Sequence, residues 1–177
     1  MQNLRVINPF SLPPSRAQYR RLLNSAGVFI CVGGLGAAYY TQYILEMEPC
    51  PLCIFQRLAL LVVGLAFLAA AVHNPPGWGA KAYGLIISFT AAIGIAIAIR
   101  HLWLQQLPPD QAPRCGPGLD YLLQTFPLSE VVREVFTGSG ECATIDRVLG
   151  VSIPAWTLLL FLGLGLVGVV GNWRLPK

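Results

Sequence analysis

The sequence predicts an all-α membrane protein: a bundle of four transmembrane helices whose one long polar loop carries a short amphipathic helix. Three observations lead there. Apolar residues make up 55% of the 177-residue chain and charged residues 11%, with a mean hydropathy of +0.60, more apolar than a soluble domain of this size. Four apolar stretches of 15 to 24 residues run from Leu22 to Leu45, Leu58 to Val72, Ala82 to Ile99 and Val151 to Trp173. The charges, finally, are confined to the segments between and around those stretches, Arg57 lying at the edge of the second.

The stretches follow in order. At about 1.5 Å per residue each can cross a hydrocarbon core of roughly 30 Å, the second only if Ile54 to Arg57 join it. Each should be helical, because lipid offers the backbone no hydrogen-bond partner. The basic residues ahead of span one, with Gly36-Ala37-Ala38 inside it, also fit a cleavable leader, but the run to Leu45 is long for the apolar part of one, so the span is expected to stay. Asn74-Pro75-Pro76-Gly77 is a tight-turn signal that makes spans two and three an antiparallel hairpin. Gly84, Ser88, Ala92 and Ala96 on span three, and the pairs Gly33/Ala37 and Gly34/Ala38 on span one, read as stripes for close helix packing. Between spans three and four lies a loop, 100–150, punctuated by Pro108-Pro109, Pro113 and Gly116-Pro117-Gly118. Within it Leu128, Val131, Val132, Val135 and Phe136 recur at helical spacing among charges, the pattern of a short helix lying on the membrane surface. The organisation expected is an N-terminal segment 1–21, a four-helix domain 22–173 that includes the loop, and a tail 174–177.

Charge sets the orientation. Arg5, Arg16, Arg20, Arg21, Lys81, Arg174 and Lys177 fall on one side with no acid, whereas all eight acids fall on the other beside Arg57, Arg100, Arg114, Arg133 and Arg147. By the positive-inside rule both termini are cytoplasmic and the loop faces outward. The net charge of +4 thus reflects topology; no basic face with interleaved aromatics points to nucleic acid.

Chemistry enters at Cys50-Pro51-Leu52-Cys53. Two cysteines a helical turn apart can approach bonding distance, and Pro51 suits the first helical position, so the motif should open span two. A sulfur there meets the positive helix end and free backbone N–H groups, which favour a thiolate. Arg57 lies one turn beyond Cys53, making Cys53 the better candidate for that thiolate. The same motif is compatible with an inert bridge, with Arg57 only reaching to the headgroups, or, together with Cys115 and Cys142, with an all-thiolate zinc site, although the long interval between the latter two is unlike a zinc knuckle. No metal is expected.

Cys115 and Cys142 both sit in the outward loop among glycines, and read either as a second redox pair or as a loop staple. If redox-active, a thiolate of one pair would attack a sulfur of the other. Cys31, alone within span one, reads as a small hydrophobe. His101 follows span three at the level expected for Arg57, so the two could hydrogen-bond the carbonyl oxygens of a quinone between the helices; His73, at the opposite end, reads as a bystander.

Taken together, four spans, Cys50-Pro51-Leu52-Cys53 followed by Ile54-Phe55-Gln56-Arg57, His101 after span three, and Cys115 and Cys142 resemble the bacterial disulfide bond formation protein B family, over roughly Leu22 to Trp173. The resemblance implies a quinone-linked thiol oxidase of the bacterial inner membrane with its cysteine pairs in the periplasm. A reduced DsbA-type thioredoxin-fold oxidase would attack the Cys115 to Cys142 disulfide at Cys115. Electrons would pass to Cys50 and Cys53, and from Cys53 to ubiquinone or menaquinone held by Arg57 and His101. Gln56 departs from members that carry an acid at that position. A quinone reductase of the vitamin K epoxide type shares the membrane-edge C-x-x-C, and a scaffold with two structural disulfides is a non-enzymatic alternative; the charge-set topology favours the oxidase over the reductase.

Overall fold

The computed structural model describes residues 15–108, 121, 124–127, 129–131, 133, 140–143 and 147–173. Helix α1 spans Arg16–Tyr43, α2 Pro51–His73, α3 Trp78–Leu104 and α4 Ile153–Trp173; before α4 come a 3₁₀ turn at Gly140–Ala143 and a two-residue hairpin of β1, Arg147–Val148, and β2, Val151–Ser152. All four helices are long and apolar enough to cross a membrane. Each packs on its neighbours in chain order, α1 on α2, α2 on α3 and α3 on α4, and α1 meets α4 to close the ring.

Local sequence explains the boundaries. Helix α1 begins ahead of its apolar stretch because Ser15 caps it: Gln18 N–H donates to Ser15 Oγ at 3.4 Å, and Ser15 N–H donates to Gln18 Oε1 at 2.7 Å. Pro51 takes the first position of α2, so this span starts at the cysteine motif, seven residues before the apolar run. Asn74 ends α2 in the left-handed region at φ 40°. Its side chain accepts from Arg20 Nε at 2.8 Å and donates to the Ala17 carbonyl at 3.1 Å, which ties the hairpin turn to α1. Helix α4 starts two residues later than its apolar stretch because Val151 pairs with Val148 across Leu149 and Gly150, both at positive φ.

The stripe expected on α3 is corrected. Gly84 is buried and Ser88 half-buried, but Ala92 and Ala96 are exposed; the buried face runs through Gly84, Ile87, Ala91, Gly94, Ala98 and His101. A strict four-residue step advances 400°, so it drifts about 40° per step off any one face, whereas alternating steps of three and four stay on it. On α1, likewise, Gly33 and Ala37 face outward while Gly34 and Ala38 turn inward. Close approach is real where glycine meets an aromatic: a Cβ on Gly94 would lie 2.4 Å from the Phe161 ring, and one on Gly27 2.6 Å from that of Phe67.

Apolar side chains cover the outside, Phe29, Val72, Trp78, Phe89 and Leu166 among them, and among the described residues the buried polar side chains are Asn24, Gln56, His101 and Asn172. This inside-out distribution suits a lipid surround, in which polar groups must find partners within the bundle. Of the loop helix expected around 128–136, residues 129–131 and 133 are helical and Val131 is buried; Leu128, Val132, Val135 and Phe136 lie outside the described residues, as do segments 1–14 and 174–177.

Candidate functional site

At the end of the bundle opposite Asn74, all four helices line a cleft of about 290 Å³. Its walls are Gly34 and Ala38 of α1; Cys53, Gln56, Arg57 and Leu60 of α2; His101 of α3; and Pro154, Thr157 and Phe161 of α4, with Met47 to Cys50 at the rim. The small side chains on α1 leave room that larger ones would fill.

Cys50 is the N-cap of α2, with extended backbone (φ −64°, ψ 161°), and Cys53 completes the first turn. That geometry brings the sulfurs to 3.3 Å, both as free thiols. The Cys50 backbone N–H hydrogen-bonds Cys53 as well, so the N-cap's own amide serves the sulfur at the third helical position. His101 lies inside α3, in its last turn, rather than beyond it; it is 3% exposed, with Nε2 3.8 Å from Cys50 Sγ. Its other ring nitrogen, Nδ1, is buried with no well-formed hydrogen bond, the Cys142 backbone lying within reach of the ring.

Arg57, half-buried, is held by α1. One guanidinium nitrogen donates to Gln42 Oε1 and the other to the Ala38 carbonyl at 2.9 Å, while the Tyr39 ring lies 5.5 Å below the charge. The fork thus fixes a permanent cation on the cleft wall, one turn from Cys53. Gln56, 3% exposed, sits between them in sequence; Thr157 Oγ1 donates to its Oε1 at 3.0 Å, and its Nε2 has no partner.

Cys142 is fully buried in the 3₁₀ turn and belongs to one apolar cluster with Cys50, Leu52, Ile97, Leu104 and Val131. It lies within electrostatic reach of Cys53 and His101. The structure therefore brings together Cys50, Cys53, Cys142, Arg57 and His101; Cys115 lies outside the described residues. Cys31 is buried on α1 against Gly64, apart from the cleft, and His73 contacts Tyr83 at the far end. The sulfurs of Cys50 and Cys53 and a His101 nitrogen fall within 4.8 Å of one another, a set that could hold a thiophilic cation.

Sequence reading did not single out Gln42, Tyr39 or Thr157, and noted Gln56 only as a departure from other proteins. A signal for Thr157 existed: Thr157 and Asn172 are the only hydroxyl and amide side chains within α4.

A quinone head group fits these residues. The cleft is near the lower end of the roughly 300–1,000 Å³ range of small-molecule sites, a dithiol opens onto it, and two buried polar atoms on different helices lack a well-formed hydrogen bond.

Comparison with known proteins agrees in extent. The profile of the family described as disulfide bond formation protein DsbB matches residues 20–171. Similar proteins include disulfide bond formation protein B of Nitrosococcus oceani, 51% identical over 152 residues that cover 85% of this chain and 88% of that one. The protein of the same name from Hahella chejuensis is 49% identical over 151 residues, covering 84% and 92%. That from Methylococcus capsulatus is 46% identical over 152 residues, covering 85% and 93%.

Proposed function

The chain belongs to the disulfide bond formation protein B family, and from that premise we propose that it is a thiol oxidase that reoxidises a periplasmic DsbA-type thioredoxin-fold partner and passes the electrons to a membrane quinone. It lies in the bacterial inner membrane with both termini cytoplasmic and both cysteine pairs periplasmic, an orientation that the charge distribution supports. The observation that carries the reading is the cleft, where a vicinal dithiol, a fixed guanidinium and buried polar atoms without a well-formed hydrogen bond share one mostly apolar space.

The relay runs on sulfur. A thiolate of the reduced partner attacks Cys115 of the Cys115–Cys142 disulfide; the partner's second thiol then displaces Cys115, leaving the partner oxidised and Cys115 and Cys142 as thiols. The burial of Cys142 supports Cys115 as the point of entry, because a folded partner cannot reach a sulfur with no exposed surface. Cys142 shares its apolar cluster with Cys50, which supports the next exchange: attack on the Cys50–Cys53 disulfide restores Cys115–Cys142 and leaves Cys50 and Cys53 reduced. Cys53 is the sulfur that faces the acceptor, and Arg57 stabilises negative charge there. Arg57 and His101 would hold ubiquinone or menaquinone beside the dithiol, and the quinone would supply the two-electron, two-proton acceptor that reoxidation of the Cys50 and Cys53 thiols needs. Such an acceptor is needed because a strongly oxidising partner is stable in its reduced form and gives up electrons only to a stronger oxidant.

The test is quinone reduction by the purified protein in detergent with a reduced DsbA-type donor. Wild type turns over, and Cys53→Ser and Cys115→Ser, still folded, do not. A folded wild type inert toward several donors and quinones overturns the reading.

A further inference from the structure

Gln56 has one half of its amide satisfied and the other unsatisfied, at a place where that is costly. Thr157 reaches across from α4 to Oε1, whereas Nε2 is buried with no partner, and both residues line the cleft with Cys53 and His101. An unpaired buried polar group is destabilising, and a leucine or methionine would fill the volume without that cost. An amide nitrogen can only donate. The nitrogen has no exposed surface as the bundle stands, so the missing partner is an acceptor that enters the cleft as the amide turns toward it.

We propose that Gln56 is a ligand-contacting residue of the quinone site, its amide donating a hydrogen bond to a quinone carbonyl oxygen, and that Thr157 is the positioning residue that turns the amide that way. The proposal rests on the quinone-oxidase reading above. Thr157 has a single hydroxyl proton and two acceptors at 3.0 Å, Gln56 Oε1 and the Pro154 carbonyl. Given to Gln56, it fixes which end of the amide faces the cleft, since the Pro154 carbonyl lies in the first turn of α4, where the helix's own N–H groups can serve it. The amide does not titrate, so this donor is constant with pH, unlike a carboxyl group. A hydrogen bond from it also strengthens as the accepting oxygen gains negative charge, which favours the reduced acceptor over the oxidised one.

The test uses the full chain in detergent and a short-chain ubiquinone as probe, with two readouts: equilibrium binding in the absence of any thiol donor, and the infrared stretch of a ¹³C-labelled quinone carbonyl. Gln56→Met keeps the volume and removes the donor; Thr157→Val keeps the shape and removes the orienting hydroxyl. Both should weaken binding about fivefold to tenfold, the loss of one hydrogen bond, and move the carbonyl band to higher frequency. Gln56→Glu, which cannot donate when ionised, should behave as Gln56→Met does, and Thr157→Ser should restore binding and the band. Wild-type affinity and an unmoved band in Gln56→Met overturn the proposal while leaving the oxidase reading intact. A wild type that neither binds nor reduces the quinone overturns both. Should Gln56→Met fail to fold, Thr157→Val against Thr157→Ser decides by the same two readouts.

Discussion

Replacing Asn172 by leucine should destabilise the bundle more than replacing both Asn172 and its partner Asn24. The two side chains, 8% and 0% exposed, exchange reciprocal amide hydrogen bonds of 3.2 and 3.0 Å between α1 and α4, and Asn172 Nδ2 also donates to the Gly168 carbonyl at 3.0 Å. Asn172→Leu breaks both reciprocal bonds and strands both polar ends of Asn24. Asn24→Leu breaks the same bonds but leaves Asn172 Nδ2 its carbonyl, so only one atom is orphaned. An orphaned buried group costs about 1–3 kcal/mol when referred to water, but interhelical hydrogen bonds in membranes are worth about 0.6 kcal/mol on average and at most about 1.7, because the unfolded chain in lipid also finds partners. The lower scale governs here, giving roughly 2 kcal/mol for Asn172→Leu and roughly 1 for Asn24→Leu. The double variant leaves no orphan and should lose only about 1 kcal/mol, a coupling near 2 kcal/mol between the positions. Unfolding by sodium dodecyl sulfate in mixed micelles, followed by loss of helical circular dichroism, measures all four proteins. Additive losses would refute the reasoning, because they would mean the two amides do not depend on each other.

Three further outcomes are expected. Arg57→Lys keeps the charge but cannot reach Gln42 and the Ala38 carbonyl with a rigid fork, so quinone affinity should fall several-fold in a binding titration while the helix content holds; unchanged affinity would show that charge alone suffices. Gly94→Ala forces a methyl into the Phe161 ring and should cost about 1–3 kcal/mol in the same micellar unfolding assay, with Phe161→Leu recovering part of the loss. Cys31→Ala should leave quinone turnover within twofold of wild type, because this thiol sits in the apolar core away from the cleft; a larger drop would give Cys31 a part in the relay.

What was legible in the sequence was what depends on composition and short spacing. Span number, the hairpin at Asn74 and the placement of Cys50-Pro51-Leu52-Cys53 at a helix start follow from hydropathy, turn residues and the rule for proline in a first turn, and the structure has all three. Boundaries moved where polar residues continue a helix beyond its apolar stretch: Arg16 to Arg21 extend α1 behind Ser15, and Arg100 to Leu104 extend α3, which is why His101 is buried in a last turn instead of following the span. The packing stripe was misread on α3 because a glycine or alanine at every fourth position looks regular in one dimension and spirals away in three. The Gln56 to Thr157 contact joins residues 101 positions apart, and nothing local announces such a pair except a lone hydroxyl in an otherwise apolar helix.

Polar groups are distributed unequally between the two ends of the bundle, and the inequality bears on function. At one end Arg20 clasps Asn74, Asn24 exchanges bonds with Asn172, and the Trp173 ring nitrogen donates to the Lys81 carbonyl at 2.8 Å. Each polar side chain named there has a partner, and the effect is to lock α1, the hairpin turn and α4 together. At the other end, among the described residues, lie both of the buried side-chain atoms without a well-formed hydrogen bond, Gln56 Nε2 and His101 Nδ1, beside a dithiol and a guanidinium. Packing defects spread at random would not collect around the reactive sulfurs. A bundle rigid at one end and left polar, open and unsatisfied at the other is arranged so that a ligand completes it, and the sulfur pair decides what chemistry that ligand meets.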